Sequence, residues 1–323
     1  MSRKTVAWRG DHTLVRLARE YVVLVLATLV WGSVHPTVKF ALSELTSLQL
    51  ALLRPVCAFV VLMTLVVTTG RAPRLLWQVR AAPRLLCLLG LLGYAASGGL
   101  TSFALALLPA GVTSLISNSS PLVVVVGGLA LFRQRIGALE IVGTLVGFGG
   151  VALLSAGDIE LSGDVGATLA GSLLALGSAT AWAIYTAFAR RLGRADPLVT
   201  TAITSFVGSA AVATIAVPTQ DWTRLTHAST PVLLSAVWAG AVATGCTYAA
   251  WGFALRRLPA VAVAPFAYLI PVSALAIAHV WLGEPLTLPV VLGALLVLLG
   301  VALSQATQLS LLLRARRQAT IKV

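Results

Sequence analysis

Two stretches put polar side chains where an apolar chain has least use for them. Ser117-Asn118-Ser119-Ser120 runs directly into Pro121, and Trp31-Gly-Ser-Val-His35-Pro36 lies in the first long apolar run. Neither is a nucleophile–base pair. Their side chains offer hydrogen-bond donors and acceptors, and His35 adds a group whose ordinary titration lies near neutral pH; a quietly hydrogen-bonded histidine fits as well. Proline lacks a main-chain donor and frees the carbonyl four residues earlier, here Ser117. In hydrocarbon that carbonyl and four polar side chains need partners. They either wall a watery cavity, with Asn118 the best candidate for solute contact, or patch the kink and pack helices.

Two cations sit within or near apolar runs. Arg54, in Leu53-Arg54-Pro55, is about eight residues inside the second run, roughly 12 Å of helix. A charge at that depth either attracts a substrate carboxylate or phosphate, or pairs with Glu44 or backbone carbonyls. Lys39 reads as a snorkelling structural residue. Trp31 is central in its run, away from the interfacial belt where tryptophan is ordinary, and so is a cavity-lining candidate. It aligns with Trp182, which is followed by Tyr185. No Asp or Glu falls in the middle of an apolar run, which argues against a proton pump built on a buried carboxylate. There is no His-Glu-x-x-His, Gly-x-x-x-x-Gly-Lys or Gly-x-Ser-x-Gly. The chain is therefore expected not to be an enzyme, and to need no metal and no cofactor.

The elements that must hold these residues are membrane helices. The 323-residue chain is 58% hydrophobic and only 10% charged, with mean hydropathy +0.95; soluble domains carry about 25% charge. Ten runs long enough to span a bilayer lie at roughly 21–41, 46–68, 84–107, 110–132, 138–156, 167–189, 197–217, 231–255, 260–282 and 287–308. Cys57, Cys87 and Cys246 fall inside them as small hydrophobes. The net charge of +13 sits in the tails and alternate loops, which is a topology signal and not a nucleic-acid one. Arg3 to Arg19, Arg71 to Arg84, Arg133, Arg135, Arg190 to Arg194, Arg256, Arg257 and Arg314 to Lys322 all fall on one side. The positive-inside rule makes that side cytoplasmic, with both termini there.

The chain also repeats itself at an offset of 150. Phe103-Ala-Leu meets Phe253-Ala-Leu, Leu108-Pro-Ala meets Leu258-Pro-Ala, Pro121 meets Pro271, and Gly150-Val-Ala-Leu meets Gly300-Val-Ala-Leu. Tyr268 stands where Asn118 stands in the first copy, and with Trp182 and Tyr185 joins the candidates for solute contact. Five runs per copy is an odd number, so the second copy enters from the opposite face. The prediction is an all-α membrane protein of ten transmembrane helices in two inverted five-helix repeats. The repeats span 21–156 and 167–308, with basic tails at 1–20 and 309–323. Inverted repeats are a transporter architecture, with the substrate between the halves.

With Trp31-Gly-Ser, Lys39, Leu53-Arg54, the proline-centred fourth span, Leu258-Pro-Ala, Pro271 and Leu282-Gly-Glu284-Pro in view, the chain resembles the drug/metabolite transporter superfamily, specifically its EamA-like family. The likeness covers about residues 21–305. One departure is Phe132-Arg-Gln-Arg135, where the family often has Leu-Gly-Glu. The resemblance implies a central cavity lined by spans one, three, four, six, eight and nine, which adds Tyr94, Thr101, Tyr248 and Trp251 to the candidates. It also implies export of amino acids, related metabolites or drugs. The function expected is secondary transport of a small metabolite by alternating access, in the plasma or bacterial inner membrane. A membrane-embedded enzyme or scaffold acting on lipid-linked substrate is the alternative. The expected partners are a small-molecule substrate and the bilayer, with no nucleic acid; a homodimer is compatible with the sequence.

Overall fold

The computed structural model describes residues 9–130, 136–155, 165–193, 195–282 and 288–321. Among them all regular structure is helical. Six helices are long and apolar enough to cross a membrane and four apolar helices are shorter. In chain order they are α1 (Glu20–Ala41), α2 (Ser47–Thr68), α3 (Pro83–Leu107), α4 (Val112–Gly127), α5 (Ala138–Leu153), α6 (Val165–Leu192), α7 (Pro197–Thr219), α8 (Thr230–Leu255), α9 (Ala260–Ala274) and α10 (Val291–Ala306). Val60, Phe206, Ile215, Leu234 and Leu295 are exposed on the outside. An apolar exterior of this kind suits lipid and not water. Arg133, Arg135 and Glu284 lie outside the described residues.

Local chemistry sets where α2 and α7 begin. Thr46 caps α2 with Gln49 in a reciprocal box, the Gln49 amide donating to Thr46 Oγ1 at 3.1 Å and the Thr46 amide to Gln49 Oε1 at 2.9 Å. Asp196 caps α7 by accepting from the Leu198 amide at 3.1 Å, and Pro197 follows where a missing donor costs nothing. Each cap is also tied to the far end of the other helix. Thr46 Oγ1 donates to Gln220 and Gln49 Nε2 to the Asp221 carbonyl at 2.8 Å. Asp196 accepts from Arg71 at 3.1 Å and from Arg74 at 2.5 Å. The two helices therefore run antiparallel, start against end.

The helices α5 and α10 are antiparallel as well, joined through glycine. A Cβ on Gly143 would lie 2.6 Å from the Gly300 carbonyl oxygen, and one on Gly150 2.6 Å from the Val297 amide. Only glycine lets the backbones come this close, as the Gly143-x-x-x-Gly147 spacing suggests.

Four of the helices that reach the middle of the bundle are interrupted there, and α9 makes a fifth. The turn at Gly32-Ser33 breaks α1 just ahead of Pro36. Residues Leu91–Gly98 of α3 and Ala241–Cys246 of α8 form π turns, and the two begin 150 positions apart. Asn118-Ser119 breaks α4 ahead of Pro121, and Ala264–Tyr268 of α9 tightens to a 3-10 turn ahead of Pro271. The proline positions explain the last two by the missing donor. Interruptions of this kind leave carbonyls for side chains to use, and π turns are frequent at functional sites.

Candidate functional site

A chamber lies where these interruptions meet. It is walled by Trp31, Val34 and His35 of α1, Arg54 of α2, and Ser97, Gly98 and Thr101 of α3. Ser117, Asn118 and Ser120 of α4, Ser178 and Trp182 of α6, Tyr248 of α8, and Ala267 and Ile270 of α9 complete it. Its volume open to water centres is ≈ 50 Å³, room for roughly three waters.

One wall is aromatic. Trp31 meets Trp182 edge to face at 4.9 Å and Tyr248 at 5.3 Å; Trp182 meets Tyr248 at 4.6 Å and stacks on Tyr185 at 4.8 Å. Such pairs contribute about 0.5–1.5 kcal/mol each beyond the area they bury, so the wall is pre-assembled from α1, α6 and α8. Gly93 makes room for it, since a Cβ there would lie 2.7 Å from the Tyr185 ring. The Gly93 carbonyl, in the π turn of α3, accepts from the Tyr248 hydroxyl at 3.1 Å.

Another part of the lining is polar. Arg54 is 4% exposed. Its Nη1 donates to the Gly98 carbonyl at 3.3 Å and its Nη2 to Thr244 Oγ1 at 3.1 Å, so the π turns of α3 and α8 both hold it. Of the two structural partners open to Arg54, backbone carbonyl and Glu44, it uses the carbonyl. Glu44 accepts instead from the amide and hydroxyl of Ser229, at 2.6 and 2.7 Å. These bonds hold the Glu44 carboxyl below its usual range. Ser178 bridges Thr101 at 2.7 Å, Ser97 Oγ at 3.3 Å and the Ser97 carbonyl at 2.9 Å, which pins α6 to α3. The buried atoms left without a partner are concentrated here: both ring nitrogens of His35, Arg54 Nε and Ser117 Oγ.

Asn118 has a foot in both readings of its segment. It faces the chamber, yet its Nδ2 donates back to the Ser114 carbonyl at 2.8 Å and to Ser114 Oγ at 3.1 Å, patching the break before Pro121. Lys39 takes the structural role, donating to the Leu105 and Leu108 carbonyls at 2.6 and 3.2 Å. A cation there complements the C-terminal end of α3.

Of the eleven candidate residues, Trp31, His35, Arg54, Thr101, Asn118, Trp182 and Tyr248 converge on the chamber. Tyr94 lines a smaller void that shares Arg54 and Tyr248. Tyr185 backs Trp182 and faces a separate cleft with Arg190 and Arg256. Trp251 is wholly buried and donates to Thr186 Oγ1 at 3.3 Å. Tyr268 is wholly buried too, its ring 2.7 Å from where a Gly147 Cβ would stand, so it packs α9 on α5 and does not reach the chamber. Matching it to Asn118 assumes the two breaks turn alike. The α9 break is a tight 3-10 turn, which directs the same register elsewhere. Sequence reasoning missed Ser97 and Ser178. Ser178 was discoverable, because it precedes Trp182 by four residues and so shares its helix face.

A bundle of apolar helices around a polar and aromatic chamber defines a multi-pass membrane protein of the transporter class. The chain belongs to the EamA-like transporter family, whose model matches residues 18–156 and again 169–305. A transporter of Archaeoglobus fulgidus is 27% identical over 284 residues, 88% of this chain and 97% of its own length. A probable terminal-alkyne amino-acid exporter of Streptantibioticus cattleyicolor is 27% identical over 87% of this chain and 92% of its own. A probable amino-acid metabolite efflux pump of Salmonella typhimurium is 28% identical over 85% and 91%. One solved crystal structure superposes with TM-score 0.71 over 88% of this chain and 95% of that one at 18% identity, which shows a shared fold.

Proposed function

We propose that the protein is a secondary transporter that exports a small amphipathic metabolite, such as an amino acid or a drug-like compound, across the cell membrane by alternating access through the chamber. The observation that carries the reading is the chamber itself, walled by seven helices from both halves and bounded by polar atoms without partners. At ≈ 50 Å³ it is too small for an amino acid, so loading requires the chamber to widen. The start-against-end pairing of α2 with α7 supports two inverted repeats. Loop charge supports cytoplasmic termini.

The test is counterflow in proteoliposomes with a panel of labelled amino acids and amphipathic drugs, run with and without a pH gradient. Saturable movement of one class supports the proposal. A tight vesicle in which nothing in the panel moves would sink it. A rate indifferent to the gradient removes His35 as a proton carrier.

A further inference from the structure

We infer that Arg54 is the carboxylate anchor of the chamber, and that the protein takes amphipathic monocarboxylates whether or not they carry an α-amino group. This rests on the transporter reading and narrows its substrate class.

Arg54 is a cation 4% exposed about a third of the way along α2. No Asp or Glu pairs with it among the described residues; Asp196 pairs with Arg71 and Arg74, and Glu20 with Arg257. A guanidinium has five donors. Arg54 spends one on a carbonyl and one on a hydroxyl, and Nε has no partner. Leaving a buried cation without a counter-charge is costly, and the cost falls when a solute brings the charge. Nε and the second N–H of Nη1 and of Nη2 are the donors that remain, and a carboxylate accepts from such donors with both oxygens. Ser117, with its hydroxyl unpartnered, and His35, with both ring nitrogens unpartnered, line the same chamber.

The charge count selects the anion. Lys39 is turned away to the end of α3, so among the described residues Arg54 faces the chamber without a second Lys or Arg. One cation balances a carboxylate and leaves a phosphoryl dianion half neutralised. The second half does not supply another, because Thr204 occupies the place equivalent to Arg54. A Cβ on Gly240 would lie 2.7 Å from the Arg54 carbonyl oxygen, and one on Gly90 2.7 Å from that of Thr204. Among the described residues no carboxylate lines the chamber to demand an ammonium group. The Trp31, Trp182 and Tyr248 rings are suited to an apolar body.

The experiment compares four ligands of one shape: phenylalanine, 3-phenylpropionate, phenylalaninamide and phenethylamine. Binding to the purified full chain in detergent is read by tryptophan fluorescence, and movement by counterflow in proteoliposomes. Phenylalanine and 3-phenylpropionate should bind within about threefold of each other. The amide and the amine should bind at least about tenfold more weakly, the factor expected for one hydrogen-bonded charge pair. Arg54→Gln should collapse that discrimination, and Arg54→Lys should restore part of it by returning charge without the fork. Equal binding of amine and carboxylate by the unaltered protein would overturn the inference, and that arm stands even if the variants do not fold. Movement of amines with no carboxylate bound overturns the anchor and leaves transport standing. Carboxylate binding with no solute moved leaves the anchor standing and overturns transport.

Discussion

Arg54 and Thr204 occupy the same position in two matching helices, and only one of them is charged. Gly240 rests against the backbone at Arg54 as Gly90 rests against that at Thr204. The backbone packing is therefore alike at these two points, while the cation in the chamber lining comes from α2. The polar wall comes from α2, α3 and α4 with Ser178 of α6 and His35 of α1, and the aromatic wall from α1, α6 and α8.

Asn118→Ala separates solute contact from kink repair. The side chain makes two hydrogen bonds to Ser114, so its loss should cost about 1 kcal/mol of stability. Counterflow should fall several-fold in protein that still inserts and elutes as a single species. Normal transport with a lowered Tm would assign Asn118 to the kink alone.

Asp196 joins the start of α7 to the end of α2. Asp196→Asn keeps the capping oxygen and loses the charge facing Arg71 and Arg74. These arginines are 31% and 60% exposed, so screening limits the loss to about 1 kcal/mol or less. Asp196→Ala also removes the cap and should cost about 1 kcal/mol more. The order of the two Tm values in thermal unfolding checks this.

Gly143→Leu should be strongly destabilising, because its Cβ would sit 2.6 Å from the Gly300 carbonyl oxygen. Overpacking costs about 1–3 kcal/mol where side chains can adjust, and here backbone meets backbone. Gly149 lies on the same helix, and nothing comes within 4 Å of where its Cβ would stand. Gly149→Leu should leave the Tm nearly unchanged.

Glu44 links the α1–α2 connection to the start of α8 through Ser229. Its folded pKa is lowered from 4.5 by those bonds. A depressed carboxylate pKa contributes stability that is complete above the unfolded value and is lost as pH falls through the lower folded value. The Tm gap between the natural protein and Glu44→Ala should be steady near neutral pH and shrink below pH 4.5. A gap that widens on acidification contradicts the assignment.

Much of the candidate site is legible from residue type alone. Trp31, His35, Arg54 and Asn118 stood out because polar, charged or bulky polar-tipped groups are costly in an apolar run, and all four face the chamber. Tyr268 misled because register predicts position along a helix but not the pitch of a broken turn. Ser97 and Ser178 were inconspicuous because single serines are ordinary packing residues in membrane helices, and only the α3–α6 crossing shows them bonded to each other.

By itself, the sequence determined the membrane class, the apolar runs, the 150-residue register and the proline breaks. Those follow from local composition and from covalent limits such as the missing proline donor. Tertiary structure alone decided that Arg54 is held by both π turns and has no carboxylate partner among the described residues, that Lys39 caps α3, and that α2 joins the chamber wall. The physical reason is that a side chain's partners across a bundle depend on how closely helices approach, and that distance is set by glycines on helices far away in the chain.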